Sequence, residues 1–279
     1  MQAVLLAAGK GSRLRPLTDV VPKPLVKIAG KAVLFYLMDS LPFIDEFIIV
    51  VGHLGDQVQK MVGPEYAGKP VHCVRQHTLD GTAGALKVAV PHLKTDFLVF
   101  NTDDLYSPKD IARLSEKPSI LVKEMDDVRC CAEVVLENNV PVKIVEKPVN
   151  PVSNLANIGA YHFPLRAVDF LHKIPLSIRG EYEITDLVQM CFDRSLLGYT
   201  VATFWHPVGT PQQLLAAHKL MGVLPYIHPS SKVVSHGENV IVYENAVVNV
   251  HIENCIVTPG SVVEHTLPGT DTVIYKNDE

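Results

Sequence analysis

Near its start the chain carries Gly9-Lys10-Gly11-Ser12-Arg13, a combination suited to anionic oxygens. Two glycines let a backbone turn tightly and approach a ligand with no Cβ in the way. The amides of such a loop can converge on a phosphate, and Arg13 adds a permanently charged fork of donors. Lys23 follows between Pro22 and Pro24, whose fixed φ angles stiffen its segment. An amide-lined loop, an arginine and a braced lysine describe a site for a polyphosphate. In Asn101-Thr102-Asp103-Asp104, a carboxylate is the natural oxygen ligand for Mg²⁺, which bridges phosphates. Gln76 opens Gln76-His77-Thr78-Leu79-Asp80-Gly81-Thr82-Ala83. Its amide offers a donor and an acceptor that match the N3–H and O4 edge of uracil or thymine. Gly81 would let a backbone come close to a base, and Thr82 is also a good helix N-cap.

Two familiar glycine loops do not fit. A Walker A loop needs an earlier glycine where Val4 stands, and Ser or Thr where Gly11 stands. A dinucleotide fingerprint needs a third glycine, and Leu14 occupies that place.

The elements around these residues alternate. Residues 3–8 form an apolar run of the length of a buried parallel strand. Helical spacing at 31–41, 56–61 and 84–90 alternates with strand-like runs at 47–51, 71–75 and 97–100. This pace predicts βαβ units and a largely parallel sheet. Ligands bind beyond the carboxyl ends of such strands, and the residues at 9–13, 76–82 and 101–104 all follow strands. From 119 to 163 the runs 120–122, 132–136 and 142–145 read as an antiparallel excursion ending at 158–163. Helices at 167–172 and 184–193, a strand at 200–204 and a helix at 211–221 follow. From Pro225 helical periodicity is absent. Small apolar residues recur at short intervals between Gly, Asn and Pro, with a spacing loosely that of hexapeptide β-helix repeats.

The 279 residues give room for one large domain and a small appendage. A net charge of −5 with no basic block argues against nucleic acid as a partner. No apolar run approaches the ~20 residues of a membrane span. Residues 4–8 are too short, and lack a preceding basic residue, for a signal peptide. Five cysteines without C-x-x-C spacing read as reduced thiols. A cytoplasmic location, with no membrane partner, is expected.

The string Leu6-Ala7-Ala8-Gly9-Lys10-Gly11-Ser12-Arg13-Leu14-Arg15-Pro16-Leu17-Thr18, followed by Pro22-Lys23-Pro24-Leu25, resembles the signature of the sugar-1-phosphate nucleotidyltransferases. The resemblance covers essentially the whole chain, most strongly 1–110 and 140–215. It implies an α/β fold: a Rossmann-like nucleotidyltransferase domain with a mixed, mostly parallel sheet over 1–224. A short C-terminal left-handed β-helix over 225–279 would follow, serving assembly or packing in a homo-oligomer. It implies that an NTP and a sugar 1-phosphate react to give an NDP-sugar and pyrophosphate.

By this resemblance Leu6, Ala8, Gly9, Gly11, Ser12, Arg13, Gln76, Gly81 and Thr82 bind the nucleotide, with UTP or dTTP favoured. Lys23, Glu146, Lys147, Asn157 and Gly159 bind the sugar phosphate, Gly159 leaving space for the sugar ring. Arg13, Lys23 and Asp103 are the catalytic set, and Asp103 holds Mg²⁺. The family's Gly-Asp appears here as Thr102-Asp103. Its Trp-x-Asp-x-Gly-Thr-Pro appears as Trp205-His206-Pro207-Val208-Gly209-Thr210-Pro211, where Pro207 replaces a second metal aspartate. His206 (which would suit Mn²⁺ better), Asp104 or water then takes that place, or the chain is a catalytically weak relative that binds nucleotide sugars as a regulatory subunit.

Overall fold

The computed structural model describes residues 1–265 and the strand Val273–Tyr275. Two compact units emerge: Met1–Gly9, Leu37–Thr102 and Tyr106–Trp205 form the first, and Lys10–Tyr36, Asp103–Leu105 and His206–Glu279 the second.

The first unit is built on one mixed sheet, whose strands run in the order Val140–Glu146, Ala132–Glu137, Leu155–Phe163, Phe97–Asn101, Gln2–Ala7, Glu46–Val51, Lys69–Arg75, Glu65–Tyr66. Phe97–Asn101, Gln2–Ala7, Glu46–Val51 and Lys69–Arg75 are parallel. The apolar runs of the first three are continuous because these strands are covered on both faces: Ala3, Val4, Leu5, Ile48, Ile49, Leu98 and Val99 are all fully buried, whereas Lys69–Arg75 is only partly buried. The chain order places Gln2–Ala7 between Glu46–Val51 and Phe97–Asn101. The direction of winding therefore reverses beside Gln2–Ala7, the position where open α/β sheets bind ligands. Residues 119–163 are antiparallel, as expected, with Ser119–Glu124 also paired to Leu155–Phe163.

Helix Ile184–Phe192 buries Ile184, Leu187, Val188 and Cys191, the i, i+3, i+4, i+7 stripe of an amphipathic helix. They share a core with Ala83, Leu86 and Ala89 of helix Thr82–Ala89 and with Val4, Val50 and Val99 of the sheet. Two expectations shift. The helix at 167–172 is a run of 3-10 turns, Leu165–Lys173, opened by Ala167 N donating to Pro164 O at 2.8 Å. The strand expected at 200–204 is Gly198–Val201, parallel to Ser119–Glu124. It ends because the buried Asp110 carboxylate takes the amides of Thr203 (2.6 Å) and Phe204 (3.1 Å) out of the ladder.

The second unit joins the phosphate-loop segment to the tail. The tail is a short β-helix of two stacked parallel ladders. Tyr226–Ile227, Val240–Val242, Cys255–Val257 and Val273–Tyr275 form one, and Lys232–His236, Val247–Ile252 and Val262–Val263 the other. Register partners lie 15 residues apart over most of the tail, as in Val240 with Cys255 and the bond of Asn239 to Asn254, with 16 between Ser235 and His251 and 18 between Cys255 and Val273. Asn239, Asn245, Asn254 and Gly260 turn its corners with positive φ.

The all-apolar triplets of this tail serve two cores. Val240, Val242, Cys255 and Val257 pack inside the coil. Ile241 and Ile256, pointing the other way, pack with Tyr243 against Leu14, Leu17, Val26 and Ile28. Tyr243 Oη donates to Lys27 O at 2.9 Å, and the Lys27 ammonium pairs with Glu244. Periodicity marks a change at Pro225, whereas packing groups the tail with residues 10–36. The remainder of the expected tail, 266–272 and 276–279, lies outside the described residues.

Candidate active site

The second unit gathers the phosphate-type cations. Gly11, at φ +64°, caps the 3-10 turn Ser12–Leu14, and its carbonyl accepts from Leu14 N (2.9 Å) and Thr18 Oγ1 (2.8 Å). A Cβ at Gly11 would lie 3.0 Å from Lys23 Cβ, so the loop closes on the lysine segment through a glycine. Ser12 and Arg13 are exposed. Lys23 is mostly buried, and its ammonium pairs with Asp103.

Gly209 lies against both cations: a Cβ there would be 3.0 Å from Arg13 Nη2 and 3.4 Å from Lys23 Nζ. Gln213 fixes this glycine, since its Oε1 accepts from Gly209 N at 2.9 Å. Thr210 Oγ1 accepts from Gln213 N at 3.2 Å and caps helix Pro211–Leu220, with Pro211 in the first turn. Val208 N donates to Asp103 O at 2.9 Å. The Val208-Gly209-Thr210-Pro211 string is therefore a bracket that brings Arg13, Lys23 and Asp103 together. Sequence reasoning used it only to notice the missing aspartate.

The donors here fit an oxygen-preferring cation. The Asp103 side chain is 29% exposed, enough to give an oxygen to an ion. No group of three metal-type side chains lies among the described residues. A single carboxylate completed by water and substrate phosphates is a common Mg²⁺ arrangement. Of the expected substitutes for the second aspartate, His206 is engaged, with Nε2 2.8 Å from Gln213 O. Asp104 is buried, with 7% of its surface exposed.

In the first unit, Ala8 and Gly9 follow the strand Gln2–Ala7, Gln76 follows Lys69–Arg75 and Thr102 follows Phe97–Asn101. Thr102 Oγ1 donates to Leu6 O at 2.8 Å, tying two strand ends together. Ala8 O accepts from His53 N at 3.1 Å. Gln76 is buried, and its Nε2 donates to Asp80 Oδ1 (2.9 Å) and Gly81 O (3.1 Å). Both amide hydrogens serve the loop, which leaves the side-chain oxygen as an acceptor.

Gly81 differs from expectation. It sits at φ +109°, and a Cβ would lie 2.4 Å from Tyr182 O, so the backbone it admits is that of Tyr182. Tyr182 N donates to Asp80 O (2.7 Å) and Ala83 N to Tyr182 O (2.9 Å). Gly81 is itself the N-cap residue, and Thr82 Oγ1 instead accepts from Ile184 N at 2.9 Å.

The sugar-type residues are also in the first unit. Glu146 is half-buried, and burial, then the neighbouring Glu183 carboxylate, push it above the usual carboxylate range. Arg179 opposes this, with Nη1 3.6 Å from Glu146 and Nη2 3.0 Å from Glu181 and 2.9 Å from Glu183. Lys147 is exposed at φ +46°, its amide donating to Cys131 O at 2.9 Å. Asn157 Nδ2 donates to Tyr161 Oη at 2.8 Å. Gly159 leaves space for Asn101: at φ +73°, its Cβ would fall 2.0 Å from Asn101 Nδ2.

Asp80, Tyr182, Arg179 and Asn101 were missed as site-building residues. Asp80 and Asn101 stand inside the strings Gln76–Ala83 and Asn101–Asp104, whereas nothing local marks Arg179.

The first unit is an α/β fold whose strand order reverses beside Gln2–Ala7, and the second carries a cation loop bracketed by Gly209. The chain belongs to the nucleotidyl transferase family, whose model matches residues 2–222. It is 33% identical over 225 residues to the bifunctional protein GlmU of Methanocaldococcus jannaschii, covering 79% of this chain and 54% of GlmU. It therefore spans about half the length of that relative. It is 33% identical over 201 residues to the UTP–glucose-1-phosphate uridylyltransferase AglF of Haloferax volcanii, covering 68% of this chain and 83% of AglF. A Bacillus anthracis protein described as a glucose-1-phosphate thymidylyltransferase, solved with a sucrose, matches with a TM-score of 0.71 and 27% identity. That match covers 79% of this chain and 94% of the other. Family members generally use a divalent metal. Among the described residues no helix is long and apolar enough to cross a membrane.

Proposed function

We propose that the chain transfers a nucleotidyl group from UTP or dTTP to a sugar 1-phosphate, releasing pyrophosphate. The gathering of Arg13, Lys23 and Asp103 around Gly209, in a chain of this family, carries the reading. A phosphate oxygen of the sugar 1-phosphate attacks the α-phosphorus, and the bond from that phosphorus to the bridging oxygen of the pyrophosphate breaks. A sugar phosphate is already anionic, so the site needs alignment and charge neutralisation rather than a general base. Arg13 and the amides of residues 9–12 hold the triphosphate and meet the charge that gathers on the leaving pyrophosphate. Lys23, released from Asp103, turns to the reacting phosphates. Mg²⁺, or Mn²⁺, held by Asp103 would neutralise phosphate charge.

Gln76 serves the base, its oxygen accepting N3–H of uracil or thymine, and Gly81 and Thr82 shape the loop that carries it. Glu146 and Asn157 serve sugar hydroxyls and Lys147 the sugar phosphate. Residues 1–224 act as the catalytic part and 225–279 as a packing element of a cytoplasmic homo-oligomer.

Pro207, with His206 engaged elsewhere, favours a second reading, a regulatory subunit that binds nucleotide sugars without turnover. A pyrophosphate-release assay over NTPs, sugar 1-phosphates and divalent metals decides. Release with UTP or dTTP supports the enzyme. Binding of nucleotide sugars with no release under any combination supports the regulatory subunit.

A further inference from the structure

Cys130 and Cys131 stand at the head of the strand Ala132–Glu137, in a turn where Cys131 N donates to Val128 O at 2.9 Å. Both are reduced, their Sγ atoms are 3.5 Å apart, and Cys130 is exposed while Cys131 is partly buried. The strand they open is flanked by sugar-side residues. Ala132 is the register partner of Glu146 on one side and of Asn157 on the other. The carbonyl of Cys131 accepts the amide of Lys147, which is held at positive φ.

We propose that Cys130 and Cys131 are a covalent modification site, a vicinal dithiol that small-molecule disulfides close into a ring, and that closure weakens the hold on the sugar phosphate. The second half rests on the role proposed for Lys147.

The chemistry balances. Solvent takes the Cys130 proton, and the thiolate attacks a sulfur of the small disulfide, forming a mixed disulfide and releasing one small thiolate. Cys131, its proton likewise lost to solvent, attacks Cys130 Sγ. The mixed S–S bond breaks, the protein S–S bond forms, and a second small thiolate leaves. Both leaving thiolates take protons from solvent, so two protein thiols are oxidised and one small disulfide is reduced to two thiols.

The ring is strained by construction. Disulfides ordinarily span Cα separations of about 4.4–6.8 Å, whereas adjacent Cα atoms lie about 3.8 Å apart across a trans peptide. The strain falls on the peptide whose N–H closes the turn to Val128. It swings the residue whose carbonyl holds Lys147. Strained, exposed disulfides are the readily reduced ones, which makes the modification reversible.

The test treats the full chain with glutathione disulfide and follows intact mass, peptide mapping, amide hydrogen exchange at Lys147, and steady-state kinetics. The expected product lacks two hydrogens, links Cys130 to Cys131 and exchanges faster at the Lys147 amide. KM for the sugar 1-phosphate rises about tenfold or more, as for loss of one charge-assisted contact, while KM for the NTP stays. A dithiol reductant reverses all of it. Cys130→Ser and Cys131→Ser form no ring and keep both constants under oxidation. A wild type that stops at a stable mixed disulfide overturns the proposal. So does a ring that leaves Lys147 exchange unchanged, or leaves the sugar-phosphate KM of active enzyme unchanged. Mass and exchange are read without turnover, so an inactive protein would count against the proposed function and not against the thiol chemistry.

Discussion

Gly81→Ala is the substitution whose consequence the geometry specifies most fully. Gly81 lies at φ +109° and ψ 178°, a region open essentially to glycine alone, and occupying it with alanine costs about 1–3 kcal/mol. The new Cβ would also lie 2.4 Å from Tyr182 O and 2.7 Å from Tyr182 N, both backbone atoms. Relief requires the Tyr182 peptide to move, which breaks its bonds with Asp80 and Ala83, each worth about 0.5–1.5 kcal/mol. The sum is about 2–6 kcal/mol of destabilisation in the first unit. It should appear as a lower urea midpoint at unchanged slope. The displaced loop also carries Arg179, which faces Glu146. KM for the sugar 1-phosphate should therefore rise along with KM for the nucleotide, although Gly81 belongs to the base motif. A destabilisation below about 1 kcal/mol, the ordinary level for a point substitution, with both KM values unchanged, would refute the clasp between residues 80–83 and Tyr182.

Glu146→Gln should trade function for stability. The folded state raises the Glu146 pKa, so between the unfolded and folded values it binds more protons than the unfolded chain. Stability therefore falls as pH rises through that window. The variant should melt higher than wild type above the window, show no advantage below it, and have a raised sugar-phosphate KM. Tyr243→Phe leaves Lys27 O without its buried donor and should cost about 1–3 kcal/mol by thermal or urea unfolding. Arg13→Ala should slow turnover by about 10²–10³, by analogy with oxyanion donors, with little change in stability because the side chain is exposed. Single-turnover kinetics and a melting curve check both halves. Asp103→Asn should abolish pyrophosphate release at every metal concentration tried.

Much of this architecture was legible in the sequence because burial on both faces writes continuous apolar runs. Residues 3–8, 47–51 and 97–100 could hardly be read otherwise. The glycine and proline strings likewise mark Gly11 and Lys23, whose roles depend on local backbone. What escaped depends on contacts between distant segments. The partner of Gly159 is Asn101 and that of Gly81 is Tyr182, and a positive φ shows that glycine is needed without showing for what. The strand after Leu197 looked longer because nothing local reveals that Asp110 takes its next amides. In the tail, the triplets around Ile241 and Ile256 signal strands, but not that their alternate side chains face a second core with Leu14 and Ile28.

The central claim is attack by the sugar phosphate on the α-phosphorus of the nucleotide, and isotope labelling tests it most directly. The protein is incubated with UTP or dTTP, a divalent metal, and sugar 1-phosphate carrying ¹⁸O in all its phosphate oxygens, and the products are weighed by mass spectrometry. The account predicts that every labelled oxygen appears in the NDP-sugar and that the pyrophosphate is unlabelled, with no product from Asp103→Asn. Label in the pyrophosphate, or no NDP-sugar from wild type with any sugar 1-phosphate and metal, would contradict it.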